Sequence, residues 1–261
     1  MAGRKASKKT NALLNVLLVA ALAVFVFSAY KIFSEIYQKQ QEQNAFEELS
    51  QQIDTSVVQP EDTGKTPEQL RLEGYAKLKE TNPHFVGWIK IDGTPLDYPV
   101  VHTPDDPEYY LRRAFDGTYA VSGTPFVGEG CTVDSKNVFI YGHRMNNDTM
   151  FTTLLDYADM DFWEEHREIQ FDTVDRLQSY EVVSAFYIDI PPEDDLDAFY
   201  WYRYGGDISA EEFDYYVNQI KAHSYYDTGV EITAEDKLLT LTTCAYNSEE
   251  RRFVVVAKLK K

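Results

Sequence analysis

The sequence predicts a mostly β domain, about eight short strands in a largely antiparallel barrel or sandwich with helices outside, preceded by a membrane helix. Three observations carry this. Short apolar or alternating runs bounded by turn signals recur from Phe85 to the C-terminus. Helical periodicity is confined to a few stretches, and the strict helix–strand alternation of a doubly wound sheet is absent. Residues 12–30 read ALLNVLLVAALAVFVFSAY, with only Asn15 and Ser28 as clearly polar interruptions.

That first segment, as a helix rising ~1.5 Å per residue, spans roughly 28 Å, the thickness of a bilayer core. Arg4, Lys5, Lys8 and Lys9 precede it and the flank beyond turns acidic. The charge bias puts residues 1–11 in the cytoplasm, the anchor at 12–33, and the rest outside the cell. A cleaved signal peptide fits less well, because its apolar core is shorter and ends at a small-x-small site. Residues 34–65 are rich in Gln and Glu and read as a helical or loose stalk, and residues 66–261 as the folded domain.

The domain opens with a helix that Thr66 caps, with Pro67 in its first turn and Leu70, Leu72, Tyr75 and Leu78 apolar; Asn82-Pro83 stops it. Strands follow at 85–91 and 96–101, joined by the Asp92-Gly93 turn. Residues 106–115 read as one or two helical turns, 124–128 and 137–142 as strands, and 150–166 as one helix. Strands at 168–172 and 180–190 lead into an acidic, Tyr-rich connection, 191–207. Ser209 and Glu212 make a capping box for a helix over 209–223, with Phe213, Tyr216, Val217 and Ile220 on its apolar face. Strands at 237–243 and 252–258 close the chain.

Composition narrows the function. Of 261 residues 44% are apolar and 14% aromatic, which suits a strand-rich globular domain, and the net charge is −18. Without Arg4, Lys5, Lys8, Lys9 and Lys31, 20 basic residues face 43 acidic ones. A body that acidic repels nucleic acid and anionic lipid. Its charge serves solubility, with steering of a cationic amine as the alternative. Two cysteines, Cys131 and Cys244, make no disulfide framework. No H-E-x-x-H, paired-Cys, G-x-S-x-G, Walker or dinucleotide-binding pattern is present, so neither a metal nor another cofactor is expected.

The chemistry-bearing candidates sit at strand ends. Cys244 closes the run 238–243, a position that holds a side chain firmly yet leaves it open to substrate. Its thiol becomes a strong nucleophile once a base or a cation favours the thiolate. Arg251 and Arg252 open the next strand, and either guanidinium could stabilise an oxyanion, but successive strand residues face opposite sides. His143 follows the strand NVFIY and Gly142, and suits proton exchange near neutral pH. His102 is the reserve, whereas His84, His166 and His223 have weaker contexts. Taken one at a time, Cys244 also reads as a buried small hydrophobe and His143 as a structural histidine.

Together these pieces resemble the sortase family. L-T-L-T-T-C at 239–244 matches its T-L-x-T-C signature, N-V-F-I-Y-G-H at 137–143 its histidine strand, and R-F-V-V-V-A-K-L at 252–259 its arginine strand. The run N-P-H-F-V-G-W-I-K-I-D-G-T-P-L-D-Y-P-V-V at 82–101, Y-Y-L at 109–111 and F-D-G at 115–117 are similar to class B members, and the likeness covers residues 68–260. The resemblance implies an eight-stranded β-barrel with peripheral helices and a cysteine transpeptidase. It assigns Cys244 as nucleophile, His143 as general acid and base, and Arg252, which directly precedes an aromatic and the Val run, as oxyanion stabiliser. Leu241, Thr242 and Thr243 become candidate substrate contacts, with Thr242, two residues before the nucleophile, and Ala245, directly after it, at positions where the family varies. The implied partners are secreted proteins with a C-terminal N-P-x-T-type sorting motif and a lipid-linked peptidoglycan amine. A pilin Lys as the amine ranks second, since no lid motif or further apolar span is read. A non-catalytic surface-binding module and a plain cysteine protease are the remaining alternatives. Cys131, in a Gly-flanked loop, is expected to be a spare thiol.

Overall fold

The computed structural model describes residues 8–53, 64–192, 194–244 and 250–261, without the side chains of residues 8–11 and Cys244. The chain divides into two compact units, Met1–Asn44 and Ala45–Lys261. The first consists of helix α1 (Lys8–Ile53) as far as Asn44. Its apolar side chains from Leu13 to Tyr37 are exposed, and it is long and apolar enough to cross a membrane.

In the second unit, the end of α1 is not loose stalk. Phe46 and Ile53 are buried, and the Phe46 ring meets Tyr98 edge-on at 5.2 Å. The stalk reading from residue 54 to 63 lies outside the described residues. Helix α2 (Pro67–Thr81) starts on the expected cap: Thr66 Oγ1 accepts from Gln69 N, and Gln69 Oε1 accepts from Thr66 N.

Eight strands close into a barrel. They are β1 (Phe85–Lys90), β2 (Asp97–Val101), β3 (Phe126–Val127), β4 (Asn137–Tyr141), β5 (Glu168–Thr173), β6 (Ser179–Asp189), β7 (Leu238–Cys244) and β8 (Arg251–Leu259). Their order around the barrel is β1-β2-β3-β4-β7-β8-β6-β5. Full closure leaves no edge for another chain to extend. Two of the pairings are parallel, β2 with β3 and β4 with β7, so the barrel is mixed and less uniformly antiparallel than the sequence suggests. Hydrophobic alternation reports which face is buried but carries no strand direction.

Three elements differ from expectation. Residues 150–166 are not one helix: a 3-10 helix (Phe151–Ala158) is followed by helix α3 (Met160–Glu165). Asp159 separates them, because its backbone is extended and its carboxylate caps the second helix at Asp161 N. Residues 106–115 form successive turns closed by Tyr109 N→Asp106 O and Leu111 N→Glu108 O, not helix. Strand β3 keeps only Phe126 and Val127 of the five residues expected.

Helix α4 (Ala210–His223) carries the Ser209–Glu212 capping box and buries Phe213, Tyr216, Val217 and Ile220. Polar bonds fasten it to the barrel. Tyr216 OH and Thr240 Oγ1 are 2.8 Å apart, and Thr240 Oγ1 donates to Asn137 Oδ1 at 2.9 Å. Asn137 Nδ2 donates to Tyr204 O at 3.0 Å, so this wholly buried amide is satisfied at both ends. The network ties α4 to β4 and β7, the two strands that carry the site.

Candidate active site

The parallel β4–β7 ladder fixes the first relationship. It pairs Asn137 with Leu238 and continues to Tyr141 with Thr242, and Gly142 N donates to Thr242 O at 3.3 Å. Carried two residues past Tyr141, where the ladder ends, the same offset would align His143 with position 244, at the ends of two strands that run the same way. The antiparallel β7–β8 ladder supplies the second: Cys244 and Arg252 are direct register partners. Positions 244 and 252 thus pair directly, and the β4 offset continued beyond the strand end would bring 143 into the same row, on neighbouring strands spaced ~4.8 Å apart. Residues directly opposite in a ladder share a face of the sheet.

His143 is held from two sides. Its carbonyl accepts from Phe151 N at 2.9 Å. The Phe151 ring packs so closely that a Cβ on Gly142 would fall 2.6 Å from it, which is why glycine precedes the histidine. His143 Nε2 lies 2.7 Å from the Leu111 carbonyl oxygen. A carbonyl only accepts, so Nε2 carries the hydrogen and Nδ1 of the neutral ring is the basic nitrogen. Burial, reinforced by the Arg112 charge, holds the imidazole below its ordinary 6.5, with the Leu111 bond opposing.

The two arginines separate cleanly. Arg251 Nε pairs with Asp189 Oδ1 at 3.1 Å, and its guanidinium lies 5.2 Å from the Tyr187 ring centroid. Arg252, half-buried, occupies the row. Its charge reaches Tyr141, whose hydroxyl burial pushes well above the tyrosine range while Arg252 pulls it back. Tyr141 lies two residues before His143, and β4 alternation marks it as part of this face, a signal that the NVFIYGH spacing contains. The Leu111 carbonyl, a backbone group, left no signal in the sequence at all.

Leu241, Thr242 and Thr243 are all buried, at 0%, 1% and 2% exposure. Among the described residues neither threonine hydroxyl has a hydrogen-bond partner. Ala245 and the rest of residues 245–249, like the Cys244 side chain, lie outside the described residues. His102 is not part of the row; its backbone N donates to His84 O at the end of β2. Cys131 is no surface thiol: it is 3% exposed, its Sγ is 3.7 Å from Asn137 O, and burial raises its pKa.

A family model described as a sortase domain matches residues 89–260, most of this unit. The chain belongs to the sortase family. It is 29% identical over 265 residues to sortase B of Staphylococcus aureus (strain NCTC 8325 / PS 47), covering 97% of this chain and 98% of that protein. It is also 29% identical over 253 residues to sortase B of Listeria monocytogenes serovar 1/2a (strain ATCC BAA-679 / EGD-e), covering 93% and 95%. Among solved structures, a Staphylococcus aureus sortase B–substrate complex superposes with a TM-score of 0.71 at 27% identity, covering 86% of this chain and 99% of that one. The closed mixed barrel is the sortase B fold, and as a sortase B-like protein the chain is a cysteine transpeptidase.

Proposed function

We propose that this sortase cleaves an N-P-x-T-type sorting motif of secreted proteins after its Thr and joins the new acyl end to a cell-wall amine. The observation that supports the reading is the Cys244–Arg252 register pair, with β4 running parallel to β7 and leading into His143. In this scheme Cys244 Sγ attacks the carbonyl carbon after the Thr. Neutral His143 takes the thiol proton at Nδ1 and, as imidazolium, hands it to the leaving amine as the C–N bond breaks. Arg252 donates to the oxyanion that forms on the way. The thioester left on Cys244 is then attacked by the acceptor amine, whose proton passes to His143 and back to the sulfur. No cofactor enters the scheme.

Of the three candidate contacts, strand alternation puts Thr242 on the Cys244 face of β7 and Leu241 and Thr243 on the other, so Thr242 is the one the scheme keeps for the motif. The exposed apolar stretch of α1 serves as a single-pass anchor with its basic N-terminal flank in the cytoplasm. The domain then works outside, and tethering raises its concentration where exported substrates and a lipid-linked amine emerge. Incubation with an N-P-x-T peptide and mass spectrometry of the acyl-enzyme tests the scheme. An adduct on Cys244 that a peptidoglycan-type amine resolves supports it; cleavage by Cys244→Ala would sink it. A pilin Lys resolving the adduct in preference to that amine would move the assignment to pilus assembly.

A further inference from the structure

The β2–β3 connection, residues 102–125, does more than link two strands, because one of its carbonyls holds the His143 ring. That carbonyl, on Leu111, belongs to a stretch folded back on itself. Ala120 N donates to Arg112 O at 3.1 Å, Thr124 N to Tyr110 O at 3.1 Å and Thr124 Oγ1 to Arg113 O at 2.9 Å. Where the two arms meet, Gly123 adopts φ +61°, and a Cβ there would fall 2.5 Å from Leu111 O and 2.8 Å from Tyr110 O. The absence of a side chain at 123 is what lets the two carbonyls lie where they do.

The other side of the stretch is anchored through Tyr110, which is 3% exposed. Asn82 Nδ2 donates to its hydroxyl at 3.0 Å and to Phe115 O at 2.7 Å, and His84 Nδ1 lies 3.0 Å from the same hydroxyl. The Leu111 carbonyl is thus backed by Gly123 and tied through its neighbour Tyr110 to the end of α2 and the start of β1.

We propose that Gly123 and Tyr110 are positioning residues that hold the Leu111 carbonyl against His143 Nε2, fixing the imidazole as its Nε2–H tautomer so that Nδ1 exchanges the proton with Cys244. This rests on the catalytic reading of His143 above. A ring held by one fixed acceptor needs no reorientation between the acylation and deacylation steps. A carbonyl displaced by 1 Å frees the ring to take the other tautomer, in which the wrong nitrogen carries the proton.

The test is two-bond 15N–1H spectroscopy of the His143 ring together with peptide-cleavage kinetics in wild type, Gly123→Ala and Tyr110→Phe. Wild type is expected to show the Nε2–H form. Gly123→Ala is expected to mix the tautomers and lower kcat by about 100-fold with KM little changed, a misplacement effect. Tyr110→Phe keeps the ring and removes only the hydroxyl, and shifts both readouts in the same direction by less. An Nδ1–H wild-type ring, or variants with unchanged tautomer and kcat, would overturn the proposal. If Gly123→Ala does not fold, Tyr110→Phe decides by the same two readouts. Separately, a His143→Gln enzyme that cleaves normally would sink the catalytic reading, whereas the spectrum reports on the clamp alone.

Discussion

Arg252 stands directly across the β7–β8 ladder from Cys244, while Arg251, one residue earlier, is turned to Asp189 on β6. Adjacent and chemically identical, the two side chains face opposite sides of β8, and the proposed scheme uses only Arg252. Arg252→Ala is expected to lower kcat by about 100- to 1,000-fold, the usual cost of losing an oxyanion donor. Arg251→Ala loses an exposed ion pair and the contact with the Tyr187 ring, both outside the proposed chemistry, and kcat should stay within a few-fold of wild type. Steady-state cleavage of an N-P-x-T peptide by both variants checks the difference; equal losses would contradict the assignment.

The His143 environment sets a pH dependence. Burial depresses its folded pKa below 6.5, so the neutral base persists further into acid than an exposed histidine would. The acid limb of kcat/KM is expected below pH 6.5. The same shift bears on stability. Between the folded pKa and 6.5 the unfolded chain binds more protons, so this group's contribution is present above 6.5 and lost as pH falls through the window. The Tm advantage of wild type over His143→Gln should therefore shrink on going from pH 7 to pH 5, as differential scanning calorimetry would show.

The two cysteines should react differently. Cys131 is buried with its thiol pKa raised, so it stays protonated and shielded. Iodoacetamide on the native enzyme is expected to label Cys244 alone, and Cys244→Ala should take label only after unfolding. Peptide mapping by mass spectrometry checks this, and native labelling of Cys131 would contradict its burial.

The Asn137 amide joins Thr240 to Tyr204 inside the protein. Asn137→Ala leaves the Tyr204 carbonyl without its donor, and is expected to cost about 1–3 kcal/mol. Tyr216→Phe deletes one hydroxyl at the edge of the network and should cost about 1 kcal/mol. Urea denaturation followed by fluorescence measures both; a neutral Asn137→Ala would show that this amide does not contribute to holding α4.

Much of the fold was legible because the signals are local. Thr66 with Gln69 and Ser209 with Glu212 are caps encoded within four residues, and the structure contains both. The eight strands were legible as apolar runs, and their register was not: nothing in NVFIY or LLTLTT says that the two run parallel. The break at Asp159 was hidden because Phe151, Leu154, Leu155 and Trp163 keep an apolar face through it. In the site, the chemistry-bearing side chains could be nominated from sequence, since their types are rare and their places at strand ends are marked. The Leu111 carbonyl could not, because every residue has one and only the folded chain decides which one a ring meets.

The parallel pairing of β4 with β7 has a consequence for when the enzyme becomes active. The two strands are roughly 100 residues apart in the chain, and β5, β6 and α4 lie between them. Contacts that distant form late, after the loop-closure entropy has been overcome. A chain folded only as far as β6 has not yet brought the end of β7, with Cys244, beside the end of β4. Assembly of the candidate site is therefore coupled to closure of the barrel, since the β4–β7 pairing contributes to both.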